Sequence, residues 1–167
     1  GRPVDSYNIE PIKTILDQSD KPQFIYNVTV GCHGGYNKKQ ESTEFVKDSN
    51  LSAEERSELE DYCIKMEKTD KFIGELIEVA NNSSRPTVVV FFGDHQPSLI
   101  SINKESSSLS AEDKYKTEAI VWDNFSKKHK DDDIDFELYQ LSSYLTKKYG
   151  WKEDLINGFH NTYMKDS

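Results

Sequence analysis

The chain has 167 residues, 30 of them acidic and 21 basic, which leaves a formal charge of −9 at pH 7. That length fits one domain of ordinary size, and the sign of the charge is wrong for a protein that neutralises phosphates along a nucleic acid, so no nucleic-acid partner is expected. Hydrophobic residues make up 35% and aromatics 11%, a packed core under a very polar surface, and the longest uncharged apolar run, Val88 to Phe92, is far too short to span a bilayer.

Asn8 to Gln18 reads as a short helix with Ile9, Ile12, Ile15 and Leu16 on one face, stopped by Asp20-Lys21-Pro22. Phe24 to Val30, rich in aromatic and β-branched residues and bounded by Pro22 and Gly31, predicts a buried strand. Lys38 to Asn50 is polar and aperiodic, a surface loop. Ser52 followed by Glu55 is a capping box that opens a long helix over Ala53–Asn81. Its apolar stripe is expected to hold Leu59, Tyr62, Cys63, Met66, Ile73, Ile77 and Ala80, with Asp70 inside the stripe and needing a partner.

After the turn cluster Asn81–Pro86, Thr87 to Phe92 is a continuous apolar run of the kind found in strands covered on both faces, which predicts a central parallel strand. Strand, helix and strand in that order form a right-handed crossover, so the class is α/β. Ser101 to Lys114 is polar, Ala119 to Trp122 gives a third short strand, and two amphipathic segments, Phe136–Tyr149 and Trp151–Met164, are helical and separated by Gly150. Asp131-Asp132-Asp133 after Lys127-Lys128-His129-Lys130 is a solvated charge run. Cys32 and Cys63 have neither metal spacing nor a disulfide framework and read as unpaired thiols. The sequence starts at Gly1 with no initiator Met and no leader, and is expected to be excised from something longer.

In an open α/β sheet, ligands collect beyond the carboxyl ends of strands. Gly31-Cys32-His33-Gly34-Gly35-Tyr36 follows the first predicted strand and Gly93-Asp94-His95-Gln96-Pro97 the second. Neighbouring strands would bring His33, Asp94 and His95 to one rim as candidate metal or phosphate ligands. Asp94 offers a hard anionic oxygen and His95 a borderline nitrogen, a pair suited to manganese, zinc or magnesium. His33, flanked by glycines, suits hydrogen bonding to a phosphate or sulfate oxygen. A catalytic ion wants a third protein ligand, and Asp123 is the nearest candidate. No Gly-x-Ser-x-Gly elbow, phosphate loop or dinucleotide fingerprint is present.

FIYNVTVGCHGGYN, YCIKMEKTDKFIGELI, RPTVVVFFGDHQPSL, YKTEAIVWDNF and LSSYLTKKYGW, in that order, resemble the carboxy-terminal part of the lipoteichoic acid synthase and phosphoglycerol transferase branch of the sulfatase and alkaline phosphatase superfamily. The resemblance implies a partial sulfatase-like α/β fold, with a mostly parallel sheet and helices on both faces, over a single domain spanning 1–167. It places metal ligation on Asp94 and His95, contact with the substrate phosphate on His33, and a divalent cofactor that is Mn²⁺, with Mg²⁺ or Zn²⁺ as alternatives. It also implies that the threonine nucleophile and a glutamate ligand lie in an amino-terminal half that these residues do not include, so that this piece alone is inactive. Implied partners are an anionic phospholipid or glycerophosphate substrate and the rest of the catalytic domain, at the extracellular face of the membrane through an amino-terminal tether. A sulfate ester or phosphodiester hydrolase of the same superfamily, or a noncatalytic module binding anionic glycans, are the alternatives. Family members often carry asparagine at the position of Cys32 and proline at those of Gly35 and Glu118.

Overall fold

The computed structural model describes residues 4–36, 45–47, 50–104, 109–128 and 134–163. Its longest element begins where the capping box predicts. The Ser52 hydroxyl accepts from the Glu55 backbone N–H and the Glu55 carboxylate accepts from the Ser52 N–H, opening α2 over Ala53–Asn82. Helix α1, Ile9–Gln18, is preceded by a 3-10 turn at Asp5–Asn8 and packs on α2. The two strands are β1, Val88–Phe92, and β2, Ala119–Asp123. The short helix α3, Ile100–Asn103, lies between them in sequence, and α4 (Leu141–Tyr149) and α5 (Leu155–Tyr163) close the chain.

Glu55 also meets the Lys104 ammonium, and this partner, followed by the two Ser52 bonds, lowers its pKa from 4.5 to about 2. A carboxylate whose folded-state pKa is depressed stabilises the fold above its unfolded value and loses that contribution as pH falls through the folded one. The α2 cap should therefore weaken between pH 4.5 and about 2. Thermal unfolding of Glu55→Gln against the parent checks this: the difference in Tm is expected to be constant above pH 5.5 and to shrink towards zero near pH 2.

The coordinates fall into two compact units, Gly1–Lys127 and Lys128–Ser167. In the first, the buried apolar residues are Ile12, Tyr36, Ile64, Phe72, Ala80 and Leu99. The burial of α2 is rotated from the expected stripe. Ile64, Phe72 and Ala80 are buried with the polar Glu60, Asp61 and Thr69, while Met66 and Asp70 are exposed. The reason is tertiary: Glu60 accepts from the Val46 N–H at 2.8 Å and Asp61 pairs with Lys65 at 3.2 Å, which gives these two carboxylates partners on the inner face. The Lys38–Asn50 loop falls largely, and the Asp131–Asp133 run wholly, outside the described residues.

The sheet departs from expectation. Among the described residues it has two strands, and they are antiparallel, with Val88 opposite Asp123 and Phe92 opposite Ala119. Asn124 N–H donates to the Thr87 carbonyl at one end and Gly93 N–H to the Glu118 carbonyl at the other, both at 3.2 Å, which locks this register. Phe24–Val30 forms no ladder, so the predicted parallel crossover is not closed, and β1 is half-buried along its length rather than covered on both faces.

In the second unit α4 and α5 are joined by a polar knot. Ser143, buried, places its hydroxyl 2.9 Å from the Asn157 Oδ1 and 3.0 Å from the His160 Nδ1, and its carbonyl accepts from Asn161. Phe136 stacks on Tyr144. Gly150 ends α4 at φ +63°, the left-handed conformation that glycine takes without strain.

Candidate active site

Two loops of the first unit carry the three candidate residues, and each is held by partners distant in sequence. Asp5 is buried, and its Oδ1 accepts from the Val30 and Gly31 N–H groups at 3.1 and 3.0 Å, fixing the entry to the His33 loop. A Cβ on Gly31 would stand 2.5 Å from Asp5 Oδ2, so glycine is required for the carboxylate to reach the backbone. At the exit, Tyr36 is buried, donates its hydroxyl to the Cys32 carbonyl at 2.9 Å, and lies 4.5 Å beneath the Lys65 ammonium. His33 N–H donates back to Val30, and its ring is exposed.

Gly35 has φ +92°. Proline is confined near φ −65°, so proline at this position is incompatible with this loop conformation. Cys32 rests 3.2 Å from the Met66 sulfur. Burial pushes its thiol above the ordinary range, and the Asp5 charge adds to that, against the Lys65 ammonium and a hydrogen bond to Thr69. Cys32 and Cys63 are both free thiols.

Removing Asp5 leaves two half-buried N–H donors without their carboxylate. Asp5→Ala is expected to cost about 1–3 kcal/mol, the penalty for orphaned donors. Urea unfolding measures that loss, and the His33 imidazole resonances should shift while those of His160 stay in place.

The Gly93–Pro97 loop is tied to the segment before β2. Thr117 donates its hydroxyl to the Gly93 carbonyl at 2.8 Å and the Gln96 side-chain amide donates to the Lys116 carbonyl. Gly93 does not have a positive φ. What it supplies is clearance, because a Cβ there would lie 3.2 Å from Thr117 Cβ. Buried Leu99 anchors the far end of the loop.

These anchors bring the His33 and His95 rings to 6.4 Å between centroids, edge to face at 86°. His95 Nδ1 lies 2.8 Å from the Gln96 carbonyl. A carbonyl only accepts, so Nδ1 carries the proton and a neutral ring leaves the Nε2 lone pair open, 3.6 Å from Asp94 Oδ1. Two donors each about 2.1 Å from a shared tetrahedral ion sit roughly 3.4 Å apart, so this spacing and donor set fit two ligands of one divalent cation. The bond to Gln96 is the backbone contact that commonly orients a ligating histidine. Both side chains are open to solvent, at 82% for Asp94 and 65% for His95.

Among the described residues no group of three or more His, Cys, Asp or Glu converges on a cation position. Asp123, the third candidate, is placed at the wrong end. The antiparallel register sets it opposite Val88, about 14 Å along the strand from Phe92 at ~3.4 Å per residue. It is buried and accepts from the Phe125 and Ser126 N–H groups and the Ser126 hydroxyl, capping the turn after β2. Asp5, Thr117 and Gln96 carry no sequence signal for their roles, since each acts on a loop 20 or more residues away.

Comparison with known proteins gives the family. The family model described as Sulfatase matches residues 4–156, running through both units, and the chain belongs to the sulfatase family. Members of that superfamily are enzymes, hydrolases or transferases, and are typically metal-dependent. The chain is 28% identical over 115 residues to an uncharacterized protein of Haemophilus influenzae, covering 69% of this chain and 21% of that one. It is 26% identical over 163 residues to a "Putative cyclic beta-1,2-glucan modification protein" of Rhizobium meliloti, covering 88% of this chain and 25% of that one. The chain thus spans about a fifth to a quarter of the length of these curated relatives. No solved structure matches significantly. Among the described residues, no helix is long and apolar enough to cross a membrane.

Proposed function

We propose that these residues form the carboxy-terminal part of the catalytic domain of a metal-dependent phosphoglycerol transferase, in which Asp94 and His95 are two cation ligands and His33 contacts the transferred phosphate. The observation that supports this most is the 6.4 Å approach of the His33 and His95 rings, from loops that are separately anchored. A divalent cation, Mn²⁺ by the family resemblance and with Zn²⁺ and Mg²⁺ also compatible with the mixed oxygen and nitrogen donor set, supplies charge stabilisation at phosphorus-bound oxygens when bound. Asp94 provides the anionic oxygen that offsets the cation's charge, and His95 is held by Gln96 with Nε2 turned towards it. His33 donates a hydrogen bond to an oxygen of the phosphate, and its glycine neighbours leave room for the substrate to approach. The nucleophile and remaining ligands come from polypeptide outside these residues, so the 167-residue piece alone is inactive.

The donor is an anionic glycerophospholipid or related glycerophosphate, and the acceptor is an envelope glycan. The Rhizobium meliloti relative, described as a putative glucan modification protein, favours a glycan acceptor, and chemistry on the extracellular face of the membrane is proposed with such substrates. The test assays the complete gene product with Mn²⁺ against a lipid-linked glycerophosphate and an aryl sulfate. Transfer of glycerophosphate to glycan is expected. Sulfate release without transfer identifies the hydrolase of the same superfamily instead.

A further inference from the structure

Among the described residues, β1 is paired on one edge only. The two end bonds, Asn124 N–H to Thr87 and Gly93 N–H to Glu118, set the ladder on Thr87, Val89, Phe91 and Gly93. Ladder bonds alternate along an antiparallel strand, so the backbone groups of Val88, Val90 and Phe92 face the other edge. Residues 25–29 and residues 87–92 line one cavity of about 260 Å³, with Ile12, Leu16, Phe72 and Leu76 also lining it. Residues 24–29 have strand composition, yet among the described residues none of their backbone N–H groups bonds to another backbone group. Phe24, Tyr26 and Val28 are exposed at 91%, 70% and 67%.

Two extended segments thus line one cavity without forming a ladder, in which neighbouring strands would lie about 4.8 Å apart. Each then presents unsatisfied ladder groups to the same gap, an arrangement that soluble proteins avoid at exposed edges. We propose that the gap is a slot for one further strand, hydrogen-bonded to residues 25–29 on one side and to Val88, Val90 and Phe92 on the other. The occupant is an extended segment of about five residues from the part of a sulfatase-family polypeptide outside these 167 residues. Its alternate side chains are apolar, because every second one faces Ile12, Leu16, Phe72 and Leu76. The relatives have the length to supply it, since the matched region is only 21% and 25% of theirs. The proposal rests on family membership and on the backbone, not on the catalytic reading, and holds whichever reaction the protein performs.

Hydrogen exchange read by mass spectrometry tests it, comparing this chain alone with the longest polypeptide its gene encodes. In the chain alone, amides at 25–29 and at Val88, Val90 and Phe92 should exchange fast while the β2-facing amides of Val89 and Phe91 are protected. In the longer polypeptide the slot amides should slow by about a hundredfold or more, as paired core strands do. Equal exchange in both, or a gene that encodes no further segment, overturns the proposal. So does protection in the chain alone that rises with protein concentration, since a second copy would then fill the slot. The slot amides titrate independently of activity, so an inactive protein with a protected slot separates failure of the catalytic reading from failure of this one.

Discussion

Asp94→Ala in the complete gene product is expected to lower glycerophosphate transfer by about a thousandfold or more, and His33→Ala by about a hundredfold, the range seen when an electrostatic contact to the reacting group is removed. The two losses differ in kind. Asp94 is one of the two cation donors proposed, 3.6 Å from the His95 nitrogen, and without it a neutral imidazole would not offset the ion's charge. Raising Mn²⁺ concentration should recover part of the Asp94→Ala loss and none of the His33→Ala loss, because His33 is assigned to the phosphate and not to the cation. Neither substitution should change stability by more than about 0.5 kcal/mol, since both side chains are exposed surface groups. Steady-state rates against Mn²⁺ concentration separate the two roles. Equal metal rescue of both variants would contradict the assignment.

The largest stability effect is expected at Phe72. Its side chain is 1% exposed on the inner face of α2, in a first unit with only a few buried apolar residues. Phe72→Ala removes most of that side chain and enlarges a cavity that already exists between α1, α2 and β1, and such truncations cost about 3–5 kcal/mol. Natural domains have only about 5–15 kcal/mol in total, so the variant should lose its cooperative unfolding transition or show it far below the parent's. Phe72→Leu keeps most of the volume and should cost well under half as much. Tm and urea midpoints for both variants check the ordering. If Phe72→Ala matched the parent, the placement of the core would be wrong.

How far the sequence reads ahead of the structure depends on whether the cause is local. The α2 start was readable because Ser52 and Glu55 satisfy each other within one turn. The end of α4 was readable because Gly150 takes a conformation few other residues accept. The buried face of α2 was not, because Glu60 and Asp61 find partners on Val46 and Lys65, and a hydropathy pattern counts them as outward. Phe24–Val30 has the composition of a strand, but a strand exists only with a partner, and none pairs with it among the described residues. The parallel sheet was inferred from the order of strand, helix and strand, whereas the register β1 adopts is fixed by Thr87, Gly93, Glu118 and Asn124 at its ends.

The candidate site followed the same division. His33 and His95 do approach each other, although the strand before His33 on which that expectation rested forms no ladder. Asp123, the nearest candidate for a third ligand, is carried by antiparallel pairing to the opposite end of β1. Asp5, whose carboxylate fixes the His33 loop, lies 25 residues before Val30 and nothing near it in sequence marks it.

The most direct measurement of the shared site is paramagnetic broadening of histidine ring resonances by Mn²⁺ added to this chain. Binding to an incomplete ligand set is expected to be weak, and broadening reads weak occupancy. His33 and His95 should broaden together at Mn²⁺ levels that leave His160 of the second unit sharp, and Asp94→Ala should abolish both effects. Broadening of His95 with His33 unaffected, or no dependence on Asp94, would contradict a common cation and phosphate site.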